Sequence, residues 1–181
     1  MYYIIKRIFK LYKYRMKYTS IITILIVSFI CMSASLRTQE ESIKFMSYDE
    51  AVKEAERKHK LIFIDVYTSW CGWCKVMDKS TFTDADVMKY SSKKYVAVKL
   101  DAEGAKTIHY KNIPLTEREF AQKILQVSSY PTTVYLDHKQ EILSNVPGYL
   151  EAKVFKKVLV YFAEDHYKTT SWQEFEKNYH E

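Results

Sequence analysis

Two cysteines separated by two residues directly follow an apolar run that is typical of a buried strand. The run Leu61–Tyr67 consists mainly of β-branched and aromatic residues, as expected of a strand that is covered on both faces. Cys71 and Cys74 come just after it, where a helix is expected to begin and to extend to about Lys79. This order places Cys71 in the first turn of a helix that follows a buried strand.

The position of the two thiols suits reversible disulfide chemistry. Unpaired backbone N–H groups and the positive end of the helix dipole stabilise a thiolate at Cys71, and the thiolate is the nucleophile. Cys74 is one turn further along, close enough to attack a mixed disulfide formed on Cys71. A purely structural disulfide stays open as an alternative, although a bridge that closes so short a loop removes little entropy from the unfolded chain.

Several common cofactor sites are not supported by the glycine and cysteine content. The three glycines, Gly72, Gly104 and Gly148, are too far apart for a dinucleotide-binding fingerprint or a P-loop. The three cysteines cannot supply a four-cysteine zinc site, and the five histidines show no matching ligand pattern. We therefore expect no dissociable cofactor and no metal.

The remainder of the chain alternates helix and strand patterns. Helices are predicted after three capping boxes, at residues 47–58, 116–127 and from Ser171 onward. Another helix is predicted to have Thr83 as its cap and to extend through Tyr90, and one with an apolar face is predicted at residues 154–162. Further strands are predicted at Tyr95–Asp101, 132–137 and 141–146, and residues 102–115 are expected to form a loop. Strand, helix and strand followed by a hairpin and a helix indicate an α/β fold with a mixed sheet. Aromatic residues expected in its core are Tyr95, Phe120, Tyr135 and Tyr161.

The positive charge of the chain is confined to its first 38 residues. They hold seven basic residues and no acidic one, whereas residues 39–181 hold 21 basic and 22 acidic residues. The net charge of +6 therefore does not indicate a nucleic-acid-binding surface. An uncharged stretch, residues 18–36, follows the basic flank. Residues 1–35 are predicted to be a cleaved signal peptide or an uncleaved membrane anchor, which leaves residues 36–181 as an exported domain.

The segment of residues 63–75, FIDVYTSWCGWCK, resembles the active-site segment of the thioredoxin superfamily. The resemblance covers about residues 43–162. It implies a thioredoxin-like fold, in which helices flank a central mixed β-sheet, here with an added N-terminal segment and an extra C-terminal helix. It also implies that Cys71 is an exposed nucleophile and Cys74 the resolving cysteine.

Further site residues follow from the same resemblance. Asp65 matches the family's buried acid, which assists proton transfer at Cys74, although a strand-end cap is the simpler alternative. Lys99 matches a lysine near that acid, and its side chain either pairs with the acid or extends to solvent. Pro131 resembles the family's cis-proline, which leaves the Tyr130 backbone free to pair with substrate. The residues expected to contact substrate are Trp70, Gly72, Trp73, Tyr130 and Pro131.

The helical continuation at residues 80–87 is similar to exported thioredoxin-like domains, such as the C-terminal domain of thiol:disulfide interchange proteins. This resemblance implies a periplasmic or otherwise extracytoplasmic thiol–disulfide oxidoreductase that acts on cysteines of exported proteins. A reducing direction is favoured, with an upstream thiol as electron donor, and oxidation or isomerisation stays open. We expect membrane contact only through the N-terminal segment and no nucleic-acid partner. The alternative is a thioredoxin-fold binding module whose disulfide is structural.

Overall fold

The computed structural model describes residues 42–179, and the predicted export segment, residues 1–35, lies outside them. Across this described part, no helix is long and apolar enough to cross a membrane. The elements along the chain are β1 (Phe45–Met46), α1 (Tyr48–Lys58), β2 (Leu61–Tyr67), α2 (Gly72–Ser80), α3 (Ala85–Lys94), β3 (Tyr95–Asp101), β4 (Thr107–Tyr110), β5 (Ile113–Thr116), α4 (Glu117–Glu119, continuing as a π-helix at Phe120–Ile124), β6 (Thr132–Leu136), β7 (Ile142–Pro147), α5 (Ala152–Ala163), a 3₁₀ turn (His166–Lys168) and α6 (Trp172–Asn178).

The central sheet is mixed and has the strand before the cysteines at its centre. Its strand order is β1-β3-β2-β6-β7. Strands β1 and β2 run parallel to β3, whereas β6 runs antiparallel to both β2 and β7. Asp65 on β2 is therefore paired with Lys99 on one side and with Thr133 on the other. The predicted mixed sheet with flanking helices is confirmed.

Two hydrophobic clusters cover the two faces of this sheet, because successive strand residues point to opposite faces. Ile62 and Ile64 of β2 belong to the cluster that also contains residues of α1 and the π-helix. Phe63 belongs to the other cluster, with residues of α2, α3, α5 and α6. Asp65 shares the face of Phe63, so the buried acid lies on the side of the sheet that α2 covers. All four aromatic residues predicted for the core are buried, namely Tyr95, Phe120, Tyr135 and Tyr161.

The expectation of a loop at residues 102–115 is wrong, because β4 and β5 form a separate antiparallel hairpin there. Its two turn residues, Lys111 and Asn112, have φ angles of 48° and 68°, the left-handed values that a tight hairpin turn requires. The backbone N–H and the ring Nδ1 of His109 each lie 2.8 Å from a carboxylate oxygen of Asp49. These tertiary contacts hold the hairpin against α1, and they cannot be predicted from the local sequence pattern.

The helix predicted to follow Thr83 has its cap one residue later and ends at Lys94, four residues later than expected. Asp84 is its N-cap, and Asp84 Oδ1 accepts a hydrogen bond from the Val87 N–H at 3.0 Å. The Thr83 hydroxyl instead donates to the carbonyl of Lys79 at 2.8 Å. The carboxylate therefore takes the capping position that the sequence analysis assigned to the threonine.

Candidate active site

Cys71 and Cys74 form a disulfide at the N-terminus of α2. Cys71 is the N-cap residue of this helix, and its Sγ accepts a hydrogen bond from the Cys74 N–H at 3.0 Å. The Cys71 N–H in turn donates to the Thr68 carbonyl at 3.1 Å, which fixes the turn between β2 and α2. No acidic residue occupies the first turn of α2 to oppose the helix dipole. These features favour a thiolate at Cys71 when the pair is reduced.

Both cysteines are almost completely buried in this oxidised form. Only 4% of Cys71 and 2% of Cys74 is exposed. The expectation that Cys71 is exposed is therefore wrong for the disulfide state. Its side chain turns back over the first turn of α2, where it bonds Cys74 and accepts the Cys74 N–H.

Asp65 is a fully buried acid in the middle of the sheet. Its Oδ2 lies 3.0 Å from Lys99 Nζ, so the lysine pairs with the acid rather than extending to solvent. Apart from this ion pair, neither carboxylate oxygen has a hydrogen-bond partner among the described residues. Burial raises the pKa of Asp65 to about 6, although the lysine charge opposes the increase. A carboxyl group with this pKa can gain and lose a proton near neutral pH.

Lys99 also contacts a second acid, Asp78 on α2, which the sequence analysis did not identify. Lys99 Nζ forms an ion pair with Asp78 Oδ1 and lies 5.1 Å from the centre of the Tyr67 ring. Asp78 follows Cys74 by four residues, which puts the two on one face of α2. That spacing is the signal that could have singled out Asp78.

Aromatic side chains lie next to the cysteines on the protein surface. Trp70 is 65% exposed, and its ring lies 5.8 Å from that of Tyr130 in an edge-to-face arrangement. Trp73 is 60% exposed and lies 5.3 Å from the ring of Tyr149. Trp70, Trp73 and Tyr130 were expected from the sequence to contact substrate. Tyr149 was not, and its only sequence signal is its place just after the Pro-Gly turn.

The predicted cis-proline is present, since the Tyr130–Pro131 peptide bond is cis. The Pro131 carbonyl accepts a hydrogen bond from the Gly148 N–H at 2.8 Å, which ties this loop to the turn that carries Tyr149. Gly72 has no atom within 4 Å of the position that a Cβ would occupy. The surface over Gly72 is therefore open to an approaching molecule.

Metal ligation is not evident in the described part of the chain. Within residues 42–179, no three His, Cys, Asp or Glu side chains are grouped so that they could hold a metal ion. The reactive groups described at this site are the cysteine pair, the buried acid and the paired lysine.

Comparisons with known proteins agree with this architecture. The family model described as a thioredoxin-like domain matches residues 48–163. Thioredoxin-1 of Drosophila melanogaster is 34% identical over 111 residues, which cover 61% of this chain and 81% of that protein. The thiol:disulfide interchange protein DsbD of Tatumella citrea is 28% identical over 125 residues, covering 65% of this chain and 20% of that protein.

A solved structure gives the same result for the fold. A candidate disulphide isomerase from Bacteroides thetaiotaomicron is 32% identical and has a TM-score of 0.54, with 68% of this chain and 95% of that chain covered. The matched segments make up 20% of the length of the Tatumella DsbD and 7% of that of a Colwellia psychrerythraea DsbD. This chain therefore corresponds to one part of those longer proteins.

Proposed function

Because the chain belongs to the thioredoxin-like domain family, we propose that it is a thiol–disulfide oxidoreductase acting on cysteines of exported proteins. The observation that carries the proposal is the Cys71–Cys74 disulfide at a helix N-terminus, on the sheet face that also buries Asp65. A disulfide there is the oxidised half of a pair that exchanges with other thiols. The buried acid supplies a proton acceptor for the second thiol of the pair.

In the reducing direction, the Cys71 thiolate attacks one sulfur of a client disulfide. A bond forms between Cys71 Sγ and that sulfur, and the other client sulfur leaves as a thiolate. Asp65, ionised, accepts the thiol proton of Cys74, and the Cys74 thiolate then attacks Cys71 Sγ. The client is released with both sulfurs reduced, and Cys71–Cys74 becomes a disulfide. Two electrons have passed to the client, so an upstream thiol donor must return the pair to its reduced form.

The surface beside the pair is suited to a polypeptide substrate. The open surface at Gly72 leaves room for an extended client chain next to the cysteines. The exposed rings of Trp70 and Trp73 provide apolar contact area on that surface. The Tyr130 backbone is assigned the role of pairing with the client main chain.

An extracytoplasmic role is supported by two independent observations. The first is the basic, then uncharged segment at the start of the chain, which has the composition of an export signal or anchor. The second is the similarity to DsbD proteins, named for thiol:disulfide interchange, over 65% of this chain. The clients are accordingly cysteine-containing exported proteins, and the electron donor is a thiol protein of the same compartment.

A binding module with a structural disulfide is the second candidate, and the near-complete burial of both cysteines favours it. A cysteine trap separates the two. In the full chain, Cys74→Ala leaves Cys71 without its resolving partner, so an oxidoreductase accumulates mixed disulfides with client proteins through Cys71. The matched control, Cys71→Ala, should form far fewer. A chain that neither reduces a model disulfide protein nor traps one through Cys71 is the binding module instead.

A further inference from the structure

We propose that Asp78 is a positioning residue of this site, which shares Lys99 with Asp65 and thereby limits how strongly the lysine charge acts on the buried acid. The inference deepens the proposed function and rests on the assignment of Asp65 as the proton acceptor. Asp78 contacts neither the disulfide nor any substrate in this scheme. It acts through the lysine that both acids share, and to a smaller extent by its own charge.

The geometry of the lysine carries the proposal. Lys99 Nζ lies 3.0 Å from Asp65 Oδ2 and also forms an ion pair with Asp78 Oδ1. The side chain of Lys99 is 23% exposed, that of Asp65 is 1% exposed and that of Asp78 is 40% exposed. One cation thus joins a fully buried carboxylate to a carboxylate at the surface.

Aromatic rings hold the lysine between the two acids. Lys99 Nζ lies 5.1 Å, 5.2 Å and 5.5 Å from the ring centres of Tyr67, Phe45 and Phe82, respectively. These rings come from β2, β1 and the segment after α2, so the ammonium group is surrounded on several sides. Its position therefore does not depend on Asp78 alone, and with only the charge of Asp78 removed, Lys99 should stay beside Asp65 and donate to it more fully.

Few other charges reach Asp65 from the elements packed around it. Lys99 faces it from β3 and Asp78 from α2. Tyr135 faces it from β6, but its hydroxyl is buried and its pKa is raised well above the ordinary value, so it stays neutral. Tyr67, on the same strand as Asp65, also has a raised pKa because of burial and is neutral near pH 7. The balance between Lys99 and Asp78 therefore sets the field at the buried acid.

The sign of the effect follows from the charges. The negative charge of Asp78 partly cancels that of Lys99 and raises the pKa of Asp65, in addition to the larger effect of burial. With Asp78 neutral, Lys99 stabilises the ionised form of Asp65 more strongly. Asp65 would then remain an active base at more acidic pH.

The test is Asp78→Asn in the full chain, because asparagine keeps an oxygen for Lys99 and loses only the charge. In the oxidised protein, the ¹³C titration midpoint of the Asp65 carboxyl should fall by about one pH unit. The acid limb of the reductase pH profile should move by the same amount. Asp78→Glu, which keeps the negative charge, should leave the Asp65 titration midpoint at its wild-type value. Asp86→Asn, a charge-matched control on α3, should change nothing.

The same substitution in a chain that lacks Lys99 tests whether Asp78 acts through the lysine. In a Lys99→Met chain, Asp78→Asn should shift the Asp65 midpoint by clearly less than in the wild type, because the shared cation is gone and only the direct repulsion between the two carboxylates remains. An equal shift in both backgrounds would overturn the proposal, as would an unchanged Asp65 midpoint in Asp78→Asn. The carboxyl titration needs no turnover. The titration can therefore refute the role of Asp78 without refuting the proposed function. The proposed function would be refuted by a wild-type chain that has no oxidoreductase activity.

Discussion

Lys99 on β3 lies directly beside Asp65 on β2, and their charged atoms are 3.0 Å apart in the interior of the sheet. Burying a carboxylate is costly, and a single ammonium group offsets only part of that cost. The pKa of Asp65 remains raised, at about 6, despite the lysine. The ion pair therefore leaves Asp65 with a pKa close to neutral, as proton transfer near neutral pH requires.

The raised pKa of Asp65 predicts a stability penalty in the wild type. Because its pKa in the folded state, about 6, exceeds the ordinary value of 3.8, the contribution of Asp65 to stability is fully present below about pH 3.8 and is lost as pH rises through about 6. Asp65→Asn removes the charge and should raise the free energy of unfolding by roughly 2 kcal/mol at pH 7. Urea unfolding measures this, and the gain should shrink toward pH 4. An equal gain at both pH values would contradict the explanation.

The same group predicts the pH dependence of disulfide reduction. Asp65 must be ionised to accept the Cys74 proton, so the reduction rate should fall as pH drops below about 6. Asp65→Asn should lower the rate at pH 7 by about a hundredfold and abolish this acid limb. Stopped-flow reduction of a model disulfide protein gives both readouts. A wild-type acid limb that survives in Asp65→Asn would assign the limb to another group.

Trp73 is predicted to bind clients rather than to stabilise the fold. Its ring is 60% exposed and is supported on one side by Tyr149. Trp73→Ala should raise KM for a protein client by about tenfold, with little change in the free energy of unfolding. Ile113→Ala is the matched control, since Ile113 is also exposed, at 56%, but lies on the separate hairpin. Equal effects of the two substitutions on KM would argue against a specific client surface.

The N-terminus of α3 offers a test of local structure. Asp84→Ala removes the oxygen that accepts the N–H groups of Asp86 and Val87, both at 3.0 Å. We expect a loss of about 1 kcal/mol in the free energy of unfolding. Thr83→Ala should cost clearly less, since the Thr83 hydroxyl only donates to carbonyls of the preceding helix. Thermal or urea unfolding of the two variants compares them directly, and a larger loss for Thr83→Ala would restore the sequence-based assignment.

Local pattern was enough to locate the centre of this site. The apolar run Leu61–Tyr67 forms β2 over the same residues, and the helix after it begins with Cys71 as its cap, as expected. A strand buried on both faces and a helix start are encoded by neighbouring residues, so they can be recognised without knowledge of the fold. The cis bond at Pro131 was expected from the resemblance to the thioredoxin superfamily.

The partners of these residues came only from the three-dimensional arrangement. Asp78 reaches Lys99 across 21 residues, and Tyr149 reaches Trp73 across 76 positions of the printed sequence. The hairpin of β4 and β5 and the burial of Cys71 likewise depend on what packs beside them. Segments far apart in sequence meet because the sheet brings its strands into register and the helices cover its faces, and a local pattern carries no record of that pairing. The reactive groups, Asp65 and the two cysteines, could be predicted from residues 65–74. The burial and the neighbouring charges that set their pKa values depend on the packed fold.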